Sequence, residues 1–336
     1  MMKELIASVV AGRDLDAVRM EAAVDTILRG EATPAQVGGL LVALHMKGET
    51  ADELAAAARA MRKHAVPVKV QAAPPILDTC GTGGDGSGSF NISTTAAIVV
   101  AGCGVTVAKH GNRAATSRSG SADVLQALGV SLELSPAQIG RCVDEVGIGF
   151  MFARVHHPAM KHAAPVRAEL GVRTIFNFLG PLTNPAGATH QLLGVGDGSR
   201  LEMMADVLAK LGAAGAWVVH GHGGLDEVAL SGPTEVAELR GGEVTRFRVT
   251  PADFGVDEAS ADALAGGDAQ DNAAITRAIL SGETGPRRDA VVVNAAAALC
   301  AAGVERTPDA AAVRAREAID TGAARAKLDA WAAFPG

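Results

Sequence analysis

The stretch Ile76-Leu77-Asp78-Thr79-Cys80, opened by an apolar pair, runs into the glycine-rich segment Gly81 to Phe90, and Asn91-Ile92-Ser93-Thr94-Thr95 then opens a long apolar run. That order reads as strand, glycine-rich loop and helix N-terminus, which commits this part of the chain to an α/β unit built around an anion site. Glycines let backbone N–H groups approach an oxyanion closely. The helix start adds unpaired donors and the positive end of its dipole. The hydroxyls of Ser89, Ser93, Thr94 and Thr95 supply further donors, or a ligand for a hard metal. The bland alternative, a flexible loop ending in an Asn or Ser helix cap, leaves so many glycines without a purpose.

Gly81-Thr82-Gly83-Gly84-Asp85-Gly86 also fits a dinucleotide-binding fingerprint letter by letter. That fingerprint wants its helix to begin among the glycines and an acidic residue about 20 positions further on. Here the helix begins later, and Gly86 to Ala122 contains neither Asp nor Glu. A P-loop is excluded because no Gly-Lys-Ser/Thr follows. The acid-free interval carries Lys109, His110, Arg113 and Arg118 instead, a local anion site in a chain of net charge −7. Lys109 and Arg113 can meet phosphates, and Asn112 can bond an acceptor. Ser117, Ser119 and Ser121 offer hydroxyls, although any one of them alone reads as a turn residue.

The net charge of −7 removes the usual basis for non-specific nucleic-acid binding. Aromatic residues make up 3% of the chain and Tyr is absent, which argues against a base-stacking or sugar-stacking surface. Cys80, Cys103, Cys142 and Cys300 show no Cys-x-x-Cys pairing and read as small apolar residues of a reducing compartment. The apolar stretch Leu5 to Val10 is too short for a signal-peptide core, and the run Ala96 to Ala108 is broken by glycines and too short for a bilayer. A cytoplasmic protein without membrane partners is expected.

Residues 1 to about 65 read as helices only. Thr33-Pro34-Ala35-Gln36 and Thr50-Ala51-Asp52-Glu53 fit capping boxes, and Gly48 stands where a glycine C-cap belongs. From Pro74 onward short apolar runs alternate with helical segments. The predicted strands include Ile76-Leu77, Val105 to Val107, Ser131 to Leu134, Ile148 to Phe152, Leu192 to Val195 and Trp217 to His220. Alternation of this kind implies crossovers and a mainly parallel sheet with helices on both faces. Glu235 to Val249, broken by Gly241-Gly242, predicts a hairpin, and Val291 to Val293 a late buried strand. Ala164 to Ala188, with Pro165, Pro181 and Pro185, interrupts the sheet pattern. The expected division is a helical domain, 1–70 with 165–190 returning to it, and an α/β domain formed by 71–164 and 191–336.

Other chemistry-bearing residues stay open at this level. Asp226-Glu227 reads either as a solvated pair or as a magnesium site, since adjacent carboxylates repel and magnesium prefers hard oxygens plus phosphate. Asp85 can orient the loop or cap it. His156-His157-Pro158 and His162 lack the spacing of a closed zinc site, and His157 suits the wall of an aromatic pocket. Arg167 has the fork geometry for a carboxylate, or is a surface helix arginine.

The segments Gly81 to Asp85, Asn91 to Thr94, Lys109 to Arg113, Ser119 to Asp123, Val172 to Pro185 and Leu225-Asp226-Glu227 together resemble the anthranilate phosphoribosyltransferase family over nearly the whole chain. The resemblance rests on their order and spacing. It implies a small all-helical domain beside a larger α/β domain with a mainly parallel central sheet, of the nucleoside phosphorylase and phosphoribosyltransferase kind. The active site is implied at the hinge, and a homodimer through the helical domain. The implied reaction moves the 5-phosphoribosyl group from 5-phosphoribosyl-1-pyrophosphate to the amine of anthranilate in tryptophan biosynthesis.

By position, the resemblance gives the donor to Gly81, Gly84, Asp85, Ser89, Asn91, Ile92, Ser93 and Thr94, and to Lys109, His110, Gly111, Asn112, Arg113, Ala114, Ala115, Thr116, Ser117 and Ser121. Gly81, Asn112, Arg167 and His157 would face anthranilate. Ser93, Asp226 and Glu227 would hold magnesium (Mg2+), two ions per subunit. Two departures from the family pattern are Thr116, where serine is more usual, and His220-Gly221-His222-Gly223-Gly224 before the acidic pair. The acceptor is a neutral aromatic amine, so no obligate acid or base is implied. The alternatives are a pyrimidine nucleoside phosphorylase, which needs no metal pair, and a non-catalytic nucleic-acid-binding relative.

Overall fold

The computed structural model describes residues 1–114 and 118–335. The chain opens with four helices, α1 (Met2–Val10), α2 (Ala17–Leu28), α3 (Pro34–Lys47) and α4 (Ala51–Lys63). Both predicted capping boxes are present. The Thr33 and Thr50 hydroxyls accept from the Gln36 and Glu53 amides, whose own side chains accept from the cap backbone. Gly48 ends α3 at φ +88°, a conformation costly for any residue with a Cβ.

The strands are β1 (Ile76–Gly81), β2 (Thr106–Gly111), β3 (Ile148–Phe152), β4 (His190–Gly194), β5 (Gly215–Gly221), β6 (Thr234–Arg240) and β7 (Glu243–Val249). They form one seven-stranded sheet in the order β3-β2-β1-β4-β5-β6-β7. β1 to β5 are mutually parallel, and β6 and β7 add an antiparallel hairpin turned at Gly241-Gly242. Chain order runs outward in opposite directions from β1 and β4. Their C-terminal ends, where Gly81 pairs with Gly194, are therefore the topological switch point at which open α/β sheets bind ligands.

The first crossover helix is α5 (Ile92–Gly102), followed by α6 (Ser121–Ala127), α7 (Pro136–Val146), the short α8 (Ala153–His156), α9 (Ala164–Leu170), the short α10 (Phe176–Leu179) and α11 (Leu201–Lys210). Four more close the chain, α12 (Ala269–Leu280), α13 (Pro286–Ala301), α14 (Pro308–Asp320) and α15 (Ala323–Ala332). Alternate strand residues feed two cores. Leu192, Trp217 and Val219 join the side of α5 and α13. Leu193, Ala216 and Val218 join α11 and the four opening helices. In the same core, α9 packs on α3 and α10 on α4, so the segment 164–188 lies against the opening helices.

Two expected strands are absent. Val291 to Val293 lies within α13, whose residues from Ala290 to Ala301 are all buried. A helix enclosed on every side shows a continuous apolar run with no polar face, so periodicity cannot separate it from a buried strand. Ser131 to Leu134 alternates like a strand, but the free edge of β2 is taken by β3. That segment turns locally instead, Ser131 Oγ accepting from Glu133 N, before Ser135 caps α7.

Candidate active site

A cavity of about 810 Å³ opens at the switch point, between the glycine-rich loop, the loop after β2, the segment 153–181 and the acidic pair after β5. That volume suits ligands larger than one aromatic ring. The loop itself is shaped by glycine. Gly83 and Gly84 have φ of +67° and +73°, which L side chains seldom adopt.

Asp226 reaches this wall because two facing positions lack a Cβ. A side chain at Gly81 would collide with the Asp226 carboxylate, and one at Gly194 with its backbone carbonyl. Asp226 Oδ2 accepts from Gly83 N at 2.8 Å, and Glu227 Oε1 from Ser93 N at 3.0 Å in the first turn of α5. Asp85 lies alongside, its Oδ2 3.5 Å from Asp226 N. Burial and the charge of Asp85 push the Asp226 carboxyl above the usual range, and burial and Asp226 do the same to Glu227. Close by is Lys109, almost wholly buried, its ammonium donating to the Thr79 carbonyl and hydroxyl. Burial lowers its pKa while Asp78 and Glu227 oppose the shift.

The donor set of Ser93, Asp226 and Glu227 is made of hard oxygens around mutually repelling carboxylates, which fits magnesium. Among the described residues no three His, Cys, Asp or Glu side chains form a metal cage by themselves. Magnesium seldom uses such a cage, since it keeps waters and takes substrate phosphate oxygens.

The opposite end is apolar and positively charged. Met61 from α4, Met160, Phe176 and Pro181 line it. Arg167 stacks its guanidinium 5.6 Å from the centre of the Phe176 ring, and no carboxylate pairs with it among the described residues. His110 and His157 meet Nε2 to Nε2 at 3.2 Å, and His110 Nδ1 donates to the Gly180 carbonyl at 3.0 Å. Burial and the neighbouring imidazole lower His110 to about 3. Burial, with His156 beside it, lowers His157 to about 4. Both rings are neutral at pH 7.

Gly81, Gly84, Asp85, Ser89, Asn91, Ile92, Ser93, Thr94, Lys109, His110, Gly111, Asn112, Ser121, His157, Arg167, Asp226 and Glu227 all line this one cavity. Asn91 caps no amide of its helix; its side chain donates to Ser119 O and accepts from Asn272, tying two loops to α12. Two expected residues face elsewhere. Arg113 pairs with Asp123 at 2.6 Å, bonds Gln126 and covers the Phe152 ring, while Ala114 N donates to Asp123 Oδ2. Neither lines the cavity, because Asp123 at the start of α6 draws both toward itself. Ala115, Thr116 and Ser117 lie outside the described residues. The unusual His220 and His222 bond Val195 O and Ser231 Oγ, so both are occupied away from the acidic pair.

Glycosyl transferase family models match the whole architecture, the helical bundle domain over residues 3–65 and the a/b domain over 73–325. The chain is 54% identical over 333 residues to an anthranilate phosphoribosyltransferase of Symbiobacterium thermophilum, covering 99% of this chain and 97% of that one. With the counterpart from Rhodospirillum rubrum it shares 55% over 335 residues, covering 100% and 96%. It belongs to the anthranilate phosphoribosyltransferase family. These glycosyltransferases serve tryptophan biosynthesis. The solved anthranilate phosphoribosyltransferase of Thermus thermophilus superposes with a TM-score of 0.94 at 48% identity, covering 98% of each chain. The Saccharomyces cerevisiae enzyme in complex with PRPP and Mg gives 0.90 at 28%, covering 98% of this chain and 96% of that one.

Several cavity residues of this family member carry no motif signal. Met61 arrives only because α4 packs on the segment 164–188, and Arg154 and Lys161 are masked by the histidines around them. Gly194 does leave a trace. Like Gly81 it is a glycine closing an apolar strand, and two such glycines in register open room for a third chain segment.

Proposed function

We propose that 5-phosphoribosyl-1-pyrophosphate lies along the glycine-rich wall and anthranilate against Arg167. What carries this reading is one cavity with a wall of backbone amides and carboxylates at one end, and at the other an arginine, beside apolar side chains, with which no carboxylate pairs among the described residues. Gly81, Gly84, Asp85, Ser89, Asn91 to Thr94, Lys109 to Asn112 and Ser121 hold the donor. Arg113 and Ala114 join it when their contacts to Asp123 open, and Ala115, Thr116 and Ser117 complete it. Arg167 takes the anthranilate carboxylate, with Gly81, Asn112 and His157 around the ring.

Ser93, Asp226 and Glu227 hold magnesium, two ions per subunit. Asp226 and Glu227 engage different parts of the wall, the Gly83 and Ser93 amides, which suits two separate ions. When bound, magnesium compensates the charge of the departing pyrophosphate. The residues of the chain orient the amine toward the ribose carbon and exclude water as the carbon–oxygen bond breaks. The neutral imidazoles of His110 and His157 shape an uncharged pocket for the arylamine. No side chain is assigned as acid or base.

A homodimer through the helical domain suits the exposed Val10, Val18 and Met46 of α1, α2 and α3. A cytoplasmic location agrees with four free cysteines. The test is an assay with anthranilate and phosphoribosyl pyrophosphate, with and without magnesium, following anthranilate fluorescence. Magnesium-dependent loss of fluorescence is expected; phosphorolysis of a pyrimidine nucleoside in its place overturns the assignment.

A further inference from the structure

The glycine-rich loop is held from both sides at a single residue, Gly83. Gly83 N donates to Asp226 Oδ2 at 2.8 Å, and the Gly83 carbonyl accepts from Arg173 Nη2, also at 2.8 Å. Thr82 N donates to Gly194 O at 2.9 Å, which fixes the loop to β4 just before this point. Beyond it Asp85 Oδ2 lies 3.5 Å from Asp226 N and Asp85 Oδ1 accepts from Ser87 N, before Gly266 N reaches Gly88 O. Arg173 is exposed and has no carboxylate partner among the described residues. Its guanidinium lies within 4 Å of the place a Cβ would occupy on Gly84.

Arg173 arrives from the other side of the cavity. It sits between α9, which carries Arg167, and α10, which begins with Phe176. The backbone there is stiffened by Asn177 Oδ1, which accepts from the buried Thr174 N at 3.0 Å. One side chain thus joins the acceptor wall to the donor loop.

We infer that Arg173 is a positioning residue for the transfer reaction, clamping the Gly83 carbonyl so that the loop amides and Asp226 stay aligned for the pyrophosphate. The inference rests on the proposed placement of the donor along this loop. Arg173 acts through the backbone and touches neither substrate. Its removal frees the loop to sample shapes in which the Gly83 and Gly84 amides no longer converge.

The experiment compares Arg173→Ala and Arg173→Lys with the wild-type enzyme at low and high ionic strength. Loss of a charge-assisted bond to an exposed carbonyl predicts about a tenfold rise in the KM for phosphoribosyl pyrophosphate in the alanine variant. The KM for anthranilate and the Tm stay unchanged, and lysine, which still donates to a carbonyl, restores most of the loss. The alanine penalty is the same at both salt concentrations, because a bond to a backbone carbonyl is not a long-range charge effect. Three outcomes overturn the clamp: no change in donor KM, a parallel rise in both KM values with a lower Tm, or a penalty that fades at high salt, which marks a direct phosphate contact. Gly84→Val separates the layers. Normal donor affinity in that variant removes the loop reading itself, whereas a weakened Gly84→Val beside a normal Arg173→Ala removes only the clamp.

Discussion

The two ends of the cavity both carry wholly or partly buried ionisable side chains, and at each end burial favours the uncharged form. At the loop end Asp85, Asp226 and Glu227 crowd together, and burial, together with their mutual repulsion, raises the carboxyl pKa values of the last two. At the other end His110 and His157 give up charge altogether, to about 3 and about 4. The loop end gathers acidic groups, whose repulsion the proposed magnesium would relieve. The other sets these neutral rings beside the cationic Arg154, Lys161 and Arg167, and suits a ring carrying one carboxylate. The sites proposed for a polyanion with its metal and for an arylamine acid thus differ in which kind of group, acid or base, desolvation holds toward neutrality.

The largest effect expected from this contrast is at Arg167. In Arg167→Ala the KM for anthranilate should rise by about 30- to 1000-fold, the loss of a charge-assisted bidentate contact of roughly 2–4 kcal/mol. The donor KM should hardly move. Equal weakening of both substrates in steady-state kinetics would mean that Arg167 shapes the fold rather than the acceptor end.

Next comes the acidic end. Asp226→Asn with Glu227→Gln keeps shape and removes two charges, so kcat/KM at low magnesium should fall on the order of 100-fold and the magnesium optimum should move upward. Both carboxyls titrate higher in the folded chain than in the unfolded one. The folded state therefore binds more protons above the ordinary carboxylate pKa, and stability falls as pH rises through that range. The amide pair should remove that slope and raise the Tm of the ligand-free enzyme at pH 8. A magnesium titration and a melting curve that both match wild type would reduce the pair to inert surface charge.

Gly84→Val should weaken donor binding by about 10- to 100-fold, because a β-branched residue at φ +73° costs roughly 1–3 kcal/mol or reshapes the loop. Calorimetry with phosphoribosyl pyrophosphate measures it, and unchanged affinity would take the glycine wall out of the comparison.

The smallest effect on activity at neutral pH concerns the imidazoles, which act on acid stability instead. The unfolded chain protonates them near pH 6.5, the folded chain only near 3 and 4. Between those limits the unfolded state binds more protons, so stability is complete above pH 6.5 and declines below it, by about 1.4 kcal/mol per pH unit for each histidine. His157→Asn should flatten that acid limb in denaturant titrations. An unaltered limb would mean that His157 is not held neutral in the fold.

How much of this was legible in the sequence depended on how local each signal was. The capping boxes at Thr33 and Thr50, the glycine-rich loop and the Gly241-Gly242 hairpin are each written within a few residues, and each is found where the pattern puts it. Val291 to Val293 misled because the surroundings of α13, not its composition, decide its conformation. Arg113 carries an apt charge for phosphate, yet whether it faces the cavity depends on Asp123, ten positions on. Met61 enters the site, and Arg173 reaches its glycine-rich loop, through packing between distant segments, and no spacing along the chain reports that.

The continuity of the cavity has a consequence for inhibitor chemistry. Both ends open into one space of about 810 Å³, so a single molecule can reach from the Gly83 amide wall to the Arg167 guanidinium without crossing solvent. Tethering a benzoate to a bisphosphonate through a linker that matches this span makes the second engagement intramolecular. Affinity then gains about 10²- to 10⁴-fold over either fragment with no new contact. The gain disappears once the linker is too short to span, so a linker-length series would serve as a ruler for the distance between the two ends in solution.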